Sequence, residues 1–194
     1  MSIDNEQSRQ LLRDRVRSVP DFPSPGILFR DITPVLADPV AFTTAVELHL
    51  HHVRDLVGQL DLVVGMESRG FLFGPIIAHR LNLGFVPARK PGKLPAETIE
   101  ERYDLEYGSN ALQVHADAFS QVPPPPAPPP GARVLIVDDL LATGGTAAAA
   151  GKLVARLGGR VSAYLFLIEL GALGGREALR ATDPDARVES LLLY

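Results

Sequence analysis

The stretch VLIVDDLLATGGT, Val134 to Thr146, decides how this chain folds. Val134 to Val137 are four consecutive apolar residues, the pattern of a strand buried on both faces of a parallel sheet. Asp138 and Asp139 fall where that strand is expected to end. Ala142-Thr143-Gly144-Gly145-Thr146 follows as a small, hydroxyl-rich loop, and an alanine-rich run suited to a helix comes after it. A helix N-terminus gathers unpaired backbone N–H groups and the positive end of the peptide dipoles, so this loop is expected to hold an anion. Two glycines allow a tight fold around it, and Thr143 and Thr146 add hydroxyl donors. The loop lacks the lysine of G-x-x-x-x-G-K-[ST], which disfavours nucleoside triphosphate hydrolysis. Two carboxylates beside a phosphate repel it unless hydroxyl donors or a cation lie between them. The pattern therefore asks for a ribose phosphate, with vicinal hydroxyls or magnesium at Asp138 and Asp139.

The rest of the chain alternates strands and helices. A first helix is expected from about Gln7 to Val16, and a second from Asp38-Pro39, as N-cap and first helical residue, to about Val57. Leu62 to Val64 reads as a strand opening into the loop Gly65 to Gly70, followed by a helix from Phe71 to Leu81 and a strand from Phe85 to Ala88. Beyond the phosphate loop come a helix from about Gly145 to Leu157, a strand from Val161 to Ile168, a short helix near Arg176 to Arg180 and a last strand at Val188 to Leu193. The expected fold is α/β, a mainly parallel central sheet flanked by helices, with ligands at the carboxyl ends of its strands. Glu67-Ser68-Arg69-Gly70 sits at one such end and can grip a second anionic group through its amides and Arg69. Arg89 and Lys90 sit at another, with Lys93 in the turn that follows.

Composition narrows the function. The 194 residues, 46% of them hydrophobic, suit one domain with a sizeable core. A net charge of -4 with scattered charges gives no basic face for nucleic acid or anionic lipid. The absence of cysteine removes disulfides, thiolate nucleophiles and cysteine-bound zinc. The opening MSIDNEQSRQ has no apolar signal core, and no apolar run reaches membrane-spanning length, so a cytoplasmic location and no membrane partner are expected. His49, His51 and His52 do not suggest a metal site, because only His49 and His52 share a helix face; a solvated helix end is expected there. Residues 93–118 are polar, with acids at Glu97, Glu100, Glu101, Asp104 and Glu106, and read as a mobile lid or a short hairpin. The run Pro123 to Pro130 is expected to be a surface loop insertion, within about 122–131.

Five blocks in register carry a resemblance: DFPSPGILFRDITPVL (Asp21 to Leu36), GMESRGFLFGP (Gly65 to Pro75), RKPGKLP (Arg89 to Pro95), YDLEYG (Tyr103 to Gly108) and Val137 to Thr146. The last resembles the phosphoribosyl pyrophosphate signature of the type I phosphoribosyltransferases, and the set resembles the adenine phosphoribosyltransferases among them. The proline run departs from that family's pattern. The resemblance implies the type I fold with an N-terminal base-binding hood, about residues 1–36, and a flexible lid. It implies transfer of the 5-phosphoribosyl group from phosphoribosyl pyrophosphate to adenine, giving AMP and pyrophosphate in purine salvage, with substrate-bound magnesium and a homodimer. Leu28, Phe29 and Arg30 are then the base pocket, Phe29 stacking on the purine and its neighbours pairing through the main chain. Glu67, Ser68, Arg69 and Gly70 are the pyrophosphate loop, with a non-proline cis peptide in the Ser68–Arg69 region. Arg89, Lys90 and Lys93 bind pyrophosphate, Arg89 from a neighbouring subunit. Ala142, Thr143, Gly144, Gly145 and Thr146 hold the 5′-phosphate. Asp138, Asp139, Glu106 and Tyr107 are the expected catalytic residues, Glu106 handling the proton lost by the purine ring nitrogen. Three alternatives stay open: a 6-oxopurine phosphoribosyltransferase, which shares the phosphate loop; a ribose-phosphate-sensing regulator, for which too few residues precede Asp21 to build a helix-turn-helix; and a dinucleotide-binding domain, which lacks G-x-G-x-x-G after its first strand.

Overall fold

The computed structural model describes residues 3–105, 108–120 and 131–194. Glu106, Tyr107 and Pro123 to Pro130 lie outside the described residues. The chain divides into two compact units, Met1–His52 and Val53–Tyr194.

In the first unit, helix α1 (Glu6–Arg15) starts at Asn5, whose side chain accepts from the Ser8 amide at 2.9 Å. Strands β1 (Arg17–Pro20) and β2 (Leu28–Asp31) then pair antiparallel, with Val19 opposite Phe29. The short helix α2 (Thr33–Ala37) carries proline in its first turn. Helix α3 (Pro39–His52) begins where expected: Asp38 Oδ1 accepts from the amides of Val40 and Ala41 at 2.9 and 3.1 Å. It stops at His52, and a 3-10 turn, Arg54–Leu56, replaces the helical continuation expected to Val57. Its histidines do not form a solvated end. His49 is fully buried, and His52 sits beside Arg9 and Asp4.

The second unit is built on a parallel sheet of β3 (Leu62–Met66), β4 (Gly84–Ala88), β7 (Arg133–Leu141), β8 (Arg160–Glu169) and β9 (Arg187–Leu193), in spatial order β4-β3-β7-β8-β9. Helix α4 (Gly70–Leu81) joins β3 to β4, α5 (Gly145–Arg156) joins β7 to β8, and α6 (Gly175–Thr182) joins β8 to β9. From β3 the chain steps outward to β4, then returns to lay β7 on the other side of β3. Strand order thus reverses between β3 and β7, and the carboxyl ends of the strands at such a reversal are where open parallel sheets form the crevice that binds ligands.

Burial explains why these segments are strands. All five residues of β3 are buried, as are Val134 to Val137 of β7. One face of the sheet, including Leu62, Val64, Met66, Val134 and Ile136, packs with Ala147, Ala150, Leu153 and Val154 of α5. Between β4 and β7 the chain forms an antiparallel hairpin, β5 (Thr98–Leu105) and β6 (Gly108–His115), with Ile99 opposite Val114 and Glu101 opposite Leu112. Of the two forms expected for residues 93–118, the hairpin is present, and its base is part of the core. Leu112 and Val114 are buried, while Glu101 pairs with Lys152 and Arg156 of α5. Among the described residues no helix is long and apolar enough to cross a membrane.

Candidate active site

Three chain segments meet the crevice at the end of the sheet. The first leaves β3. Glu67 follows Met66, the Glu67–Ser68 peptide is cis, and α4 starts at Gly70. A Cβ on Gly70 would lie 2.5 Å from the Val137 carbonyl oxygen and 3.2 Å from Asp138 Oδ1, so only glycine lets this loop close against β7. The cis bond falls one peptide before the expected Ser68–Arg69 region.

The second segment is the end of β7, which corrects the expected boundary. The strand does not stop before the acidic pair. It continues to Leu141, with Asp138 opposite Phe166 and Leu141 opposite Glu169 of β8. Pairing of Asp138, Leu140 and Leu141 with β8 holds the acidic pair on rigid backbone, and the two carboxyl groups lie close enough to act on each other. Asp139 is 4% exposed and receives Arg69 Nε on Oδ2 at 2.7 Å; its own amide donates to Asp138 Oδ1 at 2.9 Å. Burial and the neighbouring Asp139 charge push the Asp138 carboxyl well above the usual carboxylate range. Burial also raises Asp139, and the Arg69 guanidinium opposes that rise.

The third segment is the loop from Ala142 into α5. Gly144 adopts φ +83°, the left-handed region, and serves as a helix N-cap without a side chain. The first helical bond runs from the Ala148 amide to the Gly144 carbonyl at 2.8 Å. No acidic residue occupies the first turn of α5. Thr143 is exposed and Thr146 half-buried. Backbone amides, two hydroxyls and a helix dipole at one small loop are the groups that the expected anion cradle requires.

The basic residues beyond β4 join the first segment. Arg89 Nε donates to Glu67 Oε2 at 3.1 Å and its Nη1 to the Lys93 carbonyl at 3.0 Å, while the Lys90 amide also donates to Glu67 Oε2 at 3.1 Å. The Lys90 and Lys93 side chains are exposed. Sequence reading missed the supports of this corner. Gln113 of β6 exchanges backbone bonds with Arg89, at 2.8 and 2.7 Å, and the Phe71 ring lies under the guanidinium at 6.0 Å. Their signals, a glutamine in a hairpin and a phenylalanine in a helix, are too ordinary to single out.

Leu28, Phe29 and Arg30 lie on β2 in the first unit. Leu28 is 48% exposed, and Phe29 meets Phe22 edge-on with ring centroids 5.1 Å apart. Asp31 beside them is held near about 2 by the Thr33 hydroxyl and amide and by Arg17. Glu106 and Tyr107 lie outside the described residues.

A strand-order reversal flanked by two glycine-bearing strand-to-helix loops and an acidic pair is the arrangement on which the comparisons bear. The phosphoribosyl transferase domain family matches residues 35–177. An adenine phosphoribosyltransferase of Koribacter versatilis (strain Ellin345) is 50% identical over 183 residues, 94% of this chain and 92% of that protein. The chain belongs to the adenine phosphoribosyltransferase family. Among solved structures of the family, that of adenine phosphoribosyltransferase from Rhodothermus marinus DSM 4252 superposes with a TM-score of 0.85 at 46% identity, covering 98% of this chain and 100% of that one. The Saccharomyces cerevisiae enzyme, solved with adenine and an imino-altritol bisphosphate, gives 0.82 at 40% identity, covering 97% of this chain and 100% of that one. Family membership agrees with the α/β fold expected from the sequence.

Were a magnesium ion to enter with substrate, as the expected chemistry implies, Asp138 and Asp139 would be the carboxyl groups nearest to meet it through bound water. Asp139 is engaged by Arg69, and among the described residues no three His, Asp or Glu side chains cluster to cage a metal. This donor set fits an ion that arrives with substrate oxygens completing its shell and meets the protein through one carboxylate or a bound water.

Proposed function

We propose that this chain transfers the 5-phosphoribosyl group of phosphoribosyl pyrophosphate to adenine, forming AMP and pyrophosphate. The observation that carries the reading is the placement of two strand-to-helix loops at the reversal of strand order, with Arg69 of one in contact with Asp139 of the acidic pair that leads into the other. Family relatives named adenine phosphoribosyltransferase support adenine over other bases.

In this reading Ala142, Thr143, Gly144, Gly145 and Thr146 hold the 5′-phosphate, while Glu67, Ser68, Arg69 and Gly70, with Lys90 and Lys93, hold pyrophosphate, which Arg89 reaches from a neighbouring subunit. The sugar is stretched between two fixed ends. As the anomeric carbon separates from pyrophosphate it gains oxocarbenium character, which the Asp138 and Asp139 carboxylates stabilise while they orient the ribose hydroxyls. Arg69 and Arg89 stabilise the departing charge. Magnesium brought by the substrate would neutralise part of the pyrophosphate charge. Phe29 stacks on the base, Leu28 and Arg30 pair with its edge, and Glu106, with Tyr107 beside it, takes the proton from the ring nitrogen. The homodimer and the cytoplasmic location expected from the sequence belong to the same reading.

The test is a crystal of the protein with AMP. The expected result is the phosphate within hydrogen-bond distance of Thr143, Thr146 and the first amides of α5. A phosphate bound elsewhere overturns the reading.

A further inference from the structure

An ion pair between the buried Glu169 and the half-buried Arg176 stands behind the loop proposed for the 5′-phosphate, outside the residues that would touch substrate. Glu169 ends β8 opposite Leu141, the last residue of β7 before the loop, and the Leu170 amide donates to the Leu141 carbonyl at 2.8 Å. Glu169 is 6% exposed. Both its oxygens are taken: Arg176 Nε donates to Oε1 at 2.9 Å, while Arg176 Nη2 and the Ser190 hydroxyl, at 2.7 Å, donate to Oε2. Arg176 Nη1 reaches across to the Val188 carbonyl of β9. One guanidinium therefore ties the first turn of α6 to β8 and β9 in fork geometry.

Gly175 stands immediately before Arg176 and presses on the phosphate loop. A Cβ on Gly175 would lie 2.2 Å from the Ala142 carbonyl oxygen and 2.8 Å from Leu141 Cδ1. A Cβ on Gly144 would lie 2.8 Å from the Gly175 carbonyl oxygen. Two loops of backbone thus meet with no room for a methyl group, and the side of Gly144 and Ala142 facing α6 is fixed by where Gly175 sits.

We propose that Glu169, Arg176 and Gly175 are positioning residues for the 5′-phosphate: the ion pair fixes the start of α6, and Gly175 transmits that position to Ala142–Gly144. The proposal rests on the assignment of the phosphate to this loop. An anion cradle of amides works through placement, and a shift of a few tenths of an ångström misaligns several donors at once. Adenine, whose proposed contacts are Leu28, Phe29 and Arg30, should not register the change.

The experiment compares the parent with Gly175→Ala, Arg176→Met and Ser190→Ala, and with Gly84→Ala as a control, since a Cβ there meets open space. Folding is checked by circular dichroism and thermal melting. Steady-state kinetics give KM for phosphoribosyl pyrophosphate and for adenine separately, and calorimetry gives the affinity for ribose 5-phosphate alone. The expected result is a tenfold or larger rise in KM for phosphoribosyl pyrophosphate in folded Gly175→Ala, with a matching loss of ribose 5-phosphate affinity. KM for adenine stays within twofold, Ser190→Ala shows a smaller change of the same kind, and Gly84→Ala shows none. Arg176→Met leaves Glu169 buried without its partner; if it does not fold, the Gly175 and Ser190 variants decide. Unchanged ribose 5-phosphate affinity in folded Gly175→Ala overturns the proposal, as does an equal rise in both KM values. If the parent turns over no nucleobase, the functional reading fails, and the ribose 5-phosphate titration still judges the positioning role.

Discussion

Arg69 Nε lies 2.7 Å from Asp139 Oδ2, joining the loop after β3 to the acidic pair of β7. In the proposed reaction the two residues serve different parts of the substrate, Arg69 the pyrophosphate and Asp139 the ribose. The guanidinium and the carboxylate are in direct contact, so a change at one alters the surroundings of the other and the two side chains act as a unit. A double-mutant cycle of Arg69→Ala with Asp139→Asn should therefore show a coupling of about 1–2 kcal/mol in kcat/KM. Strict additivity would contradict the shared role.

The carboxylates are expected to act on the transition state. Asp138→Asn and Asp139→Asn should each lower kcat by about 100-fold, with KM for phosphoribosyl pyrophosphate changed by no more than a few fold. Steady-state pyrophosphate release checks this. An unchanged kcat in both variants removes these residues from the chemistry.

Asp138 also predicts a pH dependence of stability. Its carboxyl is raised above the ordinary 3.8, first by burial and then by the Asp139 charge. A raised acid contributes stability that is fully present below the unfolded value and lost as pH rises through the folded one. Asp138→Asn removes that titration and keeps an oxygen able to accept from the Asp139 amide. The variant should thus melt above the parent at neutral pH, with the gap shrinking as pH falls toward 4. A gap that does not depend on pH rejects the assignment.

Asp61 behaves in the opposite way, at the far end of β7. It accepts from the Arg133 amide at 2.7 Å, from Nε at 3.0 Å and from Nη2 at 2.8 Å, and these bonds hold its carboxyl below the ordinary 3.8. Its contribution is present above the unfolded value and lost as pH falls through the folded one. Asp61→Ala should cost about 2 kcal/mol in urea unfolding at pH 7, a difference that closes in acid. Because the pair is remote from the crevice, kcat of the folded variant should match the parent.

Gly70 tests the closeness of the two loops. A methyl group there meets the Val137 carbonyl at 2.5 Å, a backbone atom held in the middle of the sheet. Gly70→Ala should cost about 2 kcal/mol in stability and weaken pyrophosphate as an inhibitor. Parent-like values for both would mean that the loop has room it does not show.

Much of this arrangement was legible in the sequence, and the reasons are physical. Leu62 to Val64 and Val134 to Val137 are apolar without a break because both faces of a parallel sheet are covered, and Asp38-Pro39 marks a helix start through its own chemistry. The continuation of β7 past Val137 was not legible. Asp138 and Asp139 interrupt the apolar run, and the strand persists there because β8 supplies partners up to Glu169. The hairpin of β1 and β2 left no signal either, since Arg17 to Pro20 and Leu28 to Asp31 are short, nowhere fully buried and without alternation. His49 looked like part of a polar helix end until the fold buried it. In the candidate site, residue types and strand-end positions could be read, whereas the ties between them could not. Arg69 with Asp139, Glu67 with Arg89 and Gly144 against Gly175 join residues tens of positions apart, and no local pattern encodes such distances.

The central claim, a phosphoribosyl group passed to adenine, is tested most directly by pyrophosphate release measured with each purine in turn, with and without magnesium. The account predicts rapid release with adenine and phosphoribosyl pyrophosphate that requires magnesium, and rates at least 100-fold lower with hypoxanthine, guanine or xanthine. No release with any base, or faster release with a 6-oxopurine than with adenine, would contradict it.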